Sequence, residues 1–269
     1  MMDQGIKPVD IQYIKLGKGE KILLAFHGIG QNARDCFSVF ETYLGANYTI
    51  YAFDLPYHGK SAWKLAGDVR IIEIKEWMDF LTHFLNHNKI SKFDVAGFSI
   101  GGRFALATAA IFPDKIINLF LIAPDGLNIH PLYRLATHNT ITRAVFRLIM
   151  SYPGLILKPA KLLANMGILP STLFKFLDQL LAHREKRNLI YYAWNSFSKL
   201  QFKPKELLQV LEAHNVKVKL FLGKNDYLIP PHQLQKTIDL MTEGHVHILP
   251  CGHFSLVSHT AAFIKNEPL

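Results

Sequence analysis

The sequence predicts an α/β protein: a mostly parallel central sheet with helices on both faces and an inserted helical cap. Three observations predict it. Short β-branched or aromatic runs that stop at Gly, Asp or Pro alternate with stretches of helical period. The alternation breaks from about Gly126 to Phe202, where the chain is helical, apolar and basic, and it then resumes for two more strands. With 269 residues, 49% of them hydrophobic and 19% charged, the chain can bury a sizeable core without disulfides or metals.

Taken in order, Ile11-Gln12-Tyr13-Ile14-Lys15 alternates like an edge strand, and a Gly17-Lys18-Gly19 turn leads to the apolar run Ile22–Phe26, which ends at His27-Gly28. Further strands are expected at 48–53, ending at Asp54, at 93–96, ending at Gly97, and at 117–122. Between them the spacing predicts helices over 35–44, over 71–86, where Ile74, Trp77, Met78, Leu81, Phe84 and Leu85 recur at helical period, and over 100–112. Beyond the cap, strands are expected at 216–222 and 245–249 with a helix over 232–241 between them. The implied division is a core of residues 1–126 and 205–269 and a cap of residues 127–204.

In a parallel sheet of this kind ligands bind beyond the carboxyl ends of the strands, so strand ends are where chemistry is sought. One strand runs through Gly97-Phe98-Ser99-Ile100-Gly101-Gly102 into a helix, the G-x-S-x-G nucleophile elbow in its strand-turn-helix setting. The turn is tight enough to require glycines on either side, and it presents the serine beside a helix N-terminus that favours developing negative charge. Such a serine needs a base, an orienting acid and an oxyanion hole. His253 follows the last strand in Cys251-Gly252-His253-Phe254 and is the candidate base. Asp226 follows the preceding strand in Gly223-Lys224-Asn225-Asp226 and is the candidate acid, with Asp125 in Ala123-Pro124-Asp125-Gly126 as the alternative. His27-Gly28-Ile29-Gly30 follows the first buried strand, so the backbone N–H groups of Ile29 and Ile100 are the candidate oxyanion hole. His27 and His58 are read as braces for their loops.

Charge and cysteine content narrow the function classes. The net charge is +9, and the segment Leu127–Arg187, with nine basic residues against Asp178 and Glu185, supplies +7 of it. That excess suits an anionic ligand, carrier or lipid headgroup, but it lies among Leu and Ile with no nucleic-acid motif, so nucleic-acid binding is not expected. Cys36 and Cys251 lack the spacing of a disulfide framework, a zinc ribbon or a redox dithiol. No signal peptide is read in the first eight residues and no apolar run of membrane-spanning length occurs, so a cytoplasmic protein without metal or cofactor is expected.

Together the His-Gly-x-Gly loop, the string Asp54-Leu55-Pro56-Tyr57-His58-Gly59-Lys60-Ser61, the serine elbow, Gly-x-x-Asp and Gly-His-Phe resemble the α/β-hydrolase fold superfamily across nearly the whole chain. The resemblance implies a Ser99-Asp226-His253 triad that transfers an acyl group to water, with an ester or thioester as substrate. Tyr57 departs from the glycine common in the family and is expected to narrow the site mouth. Phe98, Tyr57 and Arg103 are the candidate substrate-binding residues. Arg103, one turn after Ser99, reads either as an ion pair with Asp94 or Asp125 or as a carboxylate clamp. Its Ser-x-Gly-Gly-Arg string is similar to the menaquinone-pathway synthase of this superfamily, a lyase in which the triad acts as a base. The apolar, basic cap suits a hydrophobic acyl group on an anionic carrier. The expected partners are a small-molecule or carrier-linked acyl ester, an acyl-carrier protein as for the biotin-pathway carboxylesterase, or a membrane surface. A non-catalytic binding module is the reading from a different class.

Overall fold

The computed structural model describes residues 10–61, 67–128, 133, 136, 137, 139–242 and 244–267. The first eight residues lie outside the described residues, as do positions 129–132, 134, 135 and 138 of the basic segment Leu127–Arg187.

Seven strands, β1 (Tyr13–Leu16), β2 (Lys21–Phe26), β3 (Tyr48–Phe53), β4 (Phe93–Phe98), β5 (Ile116–Ile122), β6 (Lys217–Gly223) and β7 (Val246–Leu249), form one sheet in the order β1-β3-β2-β4-β5-β6-β7. Every neighbouring pair is parallel except β1 with β3. The helices are α1 (Ala33–Leu44), α2 (Ile74–His87), α3 (Gly101–Ile111), α4 (Thr140–Ser151), α5 (Gly154–Asn165), α6 (Ser171–Ala182), α7 (Arg184–Ser196), α8 (Pro204–Ala213), α9 (Gln235–Ile238) and α10 (Leu256–Asn266).

Two compact units emerge: one holds the described residues within 1–63, 72–128 and 199–269, the other those within 64–71 and 129–198. The longer segment of the second unit, 129–198, falls within the expected 127–204 cap, and the unit also takes in residues near Gly67 that were expected in the core. Their attachment is specific, because the Gly67 carbonyl accepts hydrogen bonds from Arg147 Nη2 (3.3 Å) and from the Tyr192 hydroxyl (2.9 Å).

In the sheet unit the strand pleat sorts side chains onto two faces. Leu23, Ala25, Ile50, Ala96 and Phe120 pack with Phe37 and Phe40 of α1 and with Leu256 and Ile264 of α10. Phe26, of opposite parity, meets Trp77 of α2 and Phe104 of α3 at centroid distances of 5.5 and 6.2 Å. All six residues of β4 are buried, as befits a central parallel strand covered on both faces. Asp94, near the start of β4, is held by the Tyr48 hydroxyl (2.7 Å) and by the backbone and side-chain nitrogens of Asn118 (2.9 Å each), while burial raises its carboxyl above the usual range.

β1 lies at the sheet edge, as expected, and pairs with β3; Gly17 adopts φ +70° and Lys18 N–H bonds Gly45 O, steering the chain along the end of α1. Two local expectations differ. The helix expected over 232–241 is a 3₁₀ turn, Pro231–Leu234, followed by the four residues of α9, since Pro230 and Pro231 fix the entry. No helix is expected after His253, yet α10 occupies 256–266 with Leu256, Val257, Thr260, Ala261 and Ile264 buried on one face.

Candidate active site

Strand order reverses about β2: its partners are β3 on one side and β4 on the other. That is the switch point at which an open parallel sheet leaves a crevice. Phe26 is in register with Gly97, so the loop after β2 and the elbow after β4 leave the sheet side by side.

The elbow owes its shape to missing side chains. A Cβ on Gly97 would lie 2.5 Å from Ala105 Cβ, and one on Gly101 would lie 2.1 Å from Phe26 O, so neither position has room for a side chain. Between them Ser99 takes φ +52°, a left-handed conformation rare for a non-glycine residue and a form of strain that concentrates at functional sites. It is held there by Ser99 N–H to Ile122 O (2.9 Å) and by Ser99 O, which accepts from Gly102 N and Asp125 N (2.8 Å each). The Ser99 side chain is partly exposed and makes no hydrogen bond among the described residues.

Two elements from the other side of β5 bring a histidine to this turn. Asp226, 2% exposed after β6, accepts Leu228 and Ile229 N–H on Oδ1 (2.8 and 2.9 Å), and its Oδ2 takes the Nδ1–H of His253 at 2.6 Å. Three hydrogen bonds thus fix the carboxylate, and the histidine tautomer follows, with Nε2 left as the acceptor. Phe98, the residue before Ser99, lies against the His253 ring at 4.8 Å between centroids, which sets the imidazole beside the elbow.

On the β2 side, Ile29 N–H and Ile100 N–H, the latter at the N-cap of α3, have no hydrogen-bond acceptor among the described residues. His27 shapes this loop: its Nε2 accepts Leu55 N–H (3.0 Å), which leaves Nδ1 to donate to Gly28 O (2.7 Å). His58 stacks edge-on against it at 5.0 Å, with its own Nδ1 on Pro56 O (2.9 Å). Asp54 completes the brace by accepting Ala33 N–H (2.7 Å) at the start of α1 and Lys60 N–H (2.8 Å).

Burial, with the charge of His58 second, lowers His27 to about 3, and burial lowers His58 to about 4. Both folded-state values lie below the ordinary 6.5, so the stability this neutral pair contributes is complete above about pH 6.5 and is lost as pH falls toward 4. Below pH 6 each histidine should remove about 1.4 kcal/mol per pH unit. Urea midpoints measured from neutral pH downward should show that decline, and His58→Asn should flatten it by about half.

The three candidate substrate-binding residues are buried: Phe98 is 2% exposed, Arg103 0% and Tyr57 8%. Tyr57 sits at φ +70°, the left-handed conformation that explains a glycine preference at such a position. For Arg103 the clamp reading is corrected. Its Nε and Nη2 hold both oxygens of Asp125 (2.8 and 3.0 Å) and its Nη1 reaches Leu200 O (3.3 Å), so no face of the guanidinium is offered to a ligand. Of the two candidate aspartates, Asp125 is paired with Arg103 and Asp226 with His253.

Asp125→Ala should therefore act on stability, removing the carboxylate that holds a buried guanidinium through two hydrogen bonds, at a cost of roughly 3 kcal/mol. A shift of that size in the urea midpoint, largely reversed in the double variant Arg103→Met/Asp125→Leu, is the expected outcome. Among the described residues no group of three or more His, Cys, Asp or Glu is arranged to hold a metal ion, and both cysteines are buried free thiols.

Residues 21–260 match the family model for the alpha/beta hydrolase fold, and the chain belongs to that family. It is 24% identical over 275 residues, 97% of this chain and 91% of the other, to 2-hydroxy-6-oxononadienedioate/2-hydroxy-6-oxononatrienedioate hydrolase from Comamonas testosteroni. It is 29% identical over 118 residues to the dihydrolipoyllysine-residue acetyltransferase component of an acetoin cleaving system from Cupriavidus necator, a match spanning 44% of this chain but only 30% of that protein. Among solved structures, a thermophilic esterase from Thermogutta terrifontis superposes with a TM-score of 0.67 over 95% of this chain and 91% of the other at 17% identity, a likeness of fold.

Proposed function

We propose that this protein is a serine hydrolase that cleaves a carboxylic ester or thioester through an acyl-enzyme on Ser99. The observation that carries the reading is the bonded Asp226-His253 pair whose ring packs against Phe98, the residue next to a left-handed, partly exposed Ser99.

In this mechanism His253 Nε2 takes the Ser99 hydroxyl proton as Oγ attacks the substrate carbonyl carbon. The tetrahedral oxyanion accepts hydrogen bonds from Ile29 N–H and Ile100 N–H, aided by the N-terminus of α3. As the carbonyl re-forms, the bond to the alkoxide or thiolate breaks and His253 returns the proton to that leaving group. Water then loses a proton to His253, attacks the acyl carbon and releases the acid, restoring Ser99. Asp226 stabilises the imidazolium throughout without taking its proton.

The acyl group proposed is hydrophobic, and the basic segment 127–187 suits an anionic carrier or surface, either an acyl-carrier protein or a membrane. With Arg103 buried against Asp125, the lyase reading loses its carboxylate clamp. An intact-looking triad also disfavours the non-catalytic module.

A second reading rests on the relatives that align over 97% of this chain and are named as hydrolases of 2-hydroxy-6-oxo acids. The test is a panel of p-nitrophenyl esters of graded chain length and 2-hydroxy-6-oxo-6-phenylhexa-2,4-dienoate, with a fluorophosphonate probe run in parallel. Probe labelling with an ester chain-length optimum supports the ester reading. Turnover of the dienoate alone replaces the substrate class, and neither labelling nor turnover refutes the hydrolase.

A further inference from the structure

The helical unit holds a cavity of about 500 Å³ whose lining includes Arg147 of α4, Arg184 and Arg187 of α7, Asn188 and Tyr191. None of its lining residues is acidic. Two of the three arginines are anchored by neutral groups. Arg187 spans three helices, Nε donating to Met150 O (2.7 Å) and Nη1 to Leu181 O and Ala182 O (2.7 and 3.2 Å). Arg147 donates to Gly67 O (3.3 Å) and lies over the Tyr191 ring at 5.5 Å. Arg184 is exposed and makes no hydrogen bond or ion pair among the described residues.

Three cations thus converge on one cavity without a counter-charge in its walls. Such an arrangement is unfavourable when empty and favourable around an anion. Guanidinium forks match phosphate oxygens, and a phosphoryl dianion balances more of this charge than a single carboxylate does. The cavity exceeds a bare phosphate in size, and its tyrosines offer an apolar wall for an organic body.

We propose that Arg147, Arg184 and Arg187 form a binding site for the phosphoryl group of an organic phosphate. Two sources carry that group. A soluble organic phosphate would fill the cavity alone, whereas a phospholipid headgroup would also use exposed apolar residues of α4 and α5, Leu148 (51% exposed) and Leu155 (56%).

The experiment is calorimetric titration of the full chain with inorganic phosphate, phenyl phosphate and succinate, plus co-sedimentation with phosphatidylcholine vesicles with and without phosphatidic acid. It is run on the wild type and on Arg184→Glu, with the thermal midpoint and the far-UV circular dichroism spectrum as folding controls. Saturable phenyl phosphate binding that weakens at least about tenfold in Arg184→Glu establishes the site and a soluble source. Binding only to phosphatidic acid vesicles, lost in Arg184→Glu, establishes the site and a lipid source. The proposal is overturned if neither phosphate form binds, if succinate binds as tightly as phenyl phosphate, or if a folded Arg184→Glu binds like the wild type. None of these outcomes depends on whether Ser99 hydrolyses esters.

Discussion

Ser99→Ala should lower kcat on an activated ester by about a million-fold while leaving the thermal midpoint within about 2 °C of the wild type. The size follows from the role: without Oγ no acyl-enzyme forms, and what remains is the ground-state binding and the two backbone donors at Ile29 and Ile100. The unchanged stability follows from the surroundings. Ser99 is held at φ +52° by backbone hydrogen bonds to Ile122, Gly102 and Asp125, none of which uses the hydroxyl. Alanine keeps all three. Steady-state turnover paired with a melting curve checks both parts, and a variant with full activity would remove Ser99 from the mechanism.

Asp226→Asn should reduce kcat about ten-thousand-fold with little loss of stability. An asparagine oxygen can still accept the Leu228 and Ile229 amides that Oδ1 holds at 2.8 and 2.9 Å. Its amide nitrogen would then face His253 Nδ1 and donate to it, which moves the ring proton to Nε2 and leaves no lone pair for the Ser99 proton. Pre-steady-state burst kinetics separates this loss, which falls on acylation, from any change in substrate binding. A drop of less than tenfold would show that another group orients the histidine.

Much of the candidate site is legible in the sequence. The elbow is local chemistry: glycines flank a serine where a buried apolar run meets a helix, and the 2.1 Å approach of a Gly101 Cβ to Phe26 O is the steric fact behind the pattern. His253 and Asp226 were found by their places after strands, because a parallel sheet lines up its carboxyl ends. The partner of Arg103 was not legible. Asp94 is nearer to it in sequence than Asp125, yet Asp94 is held by Tyr48 and Asn118 at the far end of β4, and the pair forms with Asp125. The pairing of β1 with β3 was hidden because one glycine, Gly17, redirects the chain. The attachment of Gly67 to the helical unit was equally hidden, since it rests on bonds from Arg147 and Tyr192, 80 and 125 residues away.

The central claim is a covalent bond to one oxygen, and mass spectrometry of a rapidly quenched reaction reads it directly. The wild type is mixed with a p-nitrophenyl ester of the preferred chain length, stopped in acid during the burst, digested and sequenced by fragmentation. The account predicts that the peptide containing Gly97-Phe98-Ser99-Ile100-Gly101 gains the mass of the acyl group, on Ser99, and that the gain decays as product acid appears. An ester that turns over while Ser99 stays unmodified, or an acyl group found on another residue, would contradict it.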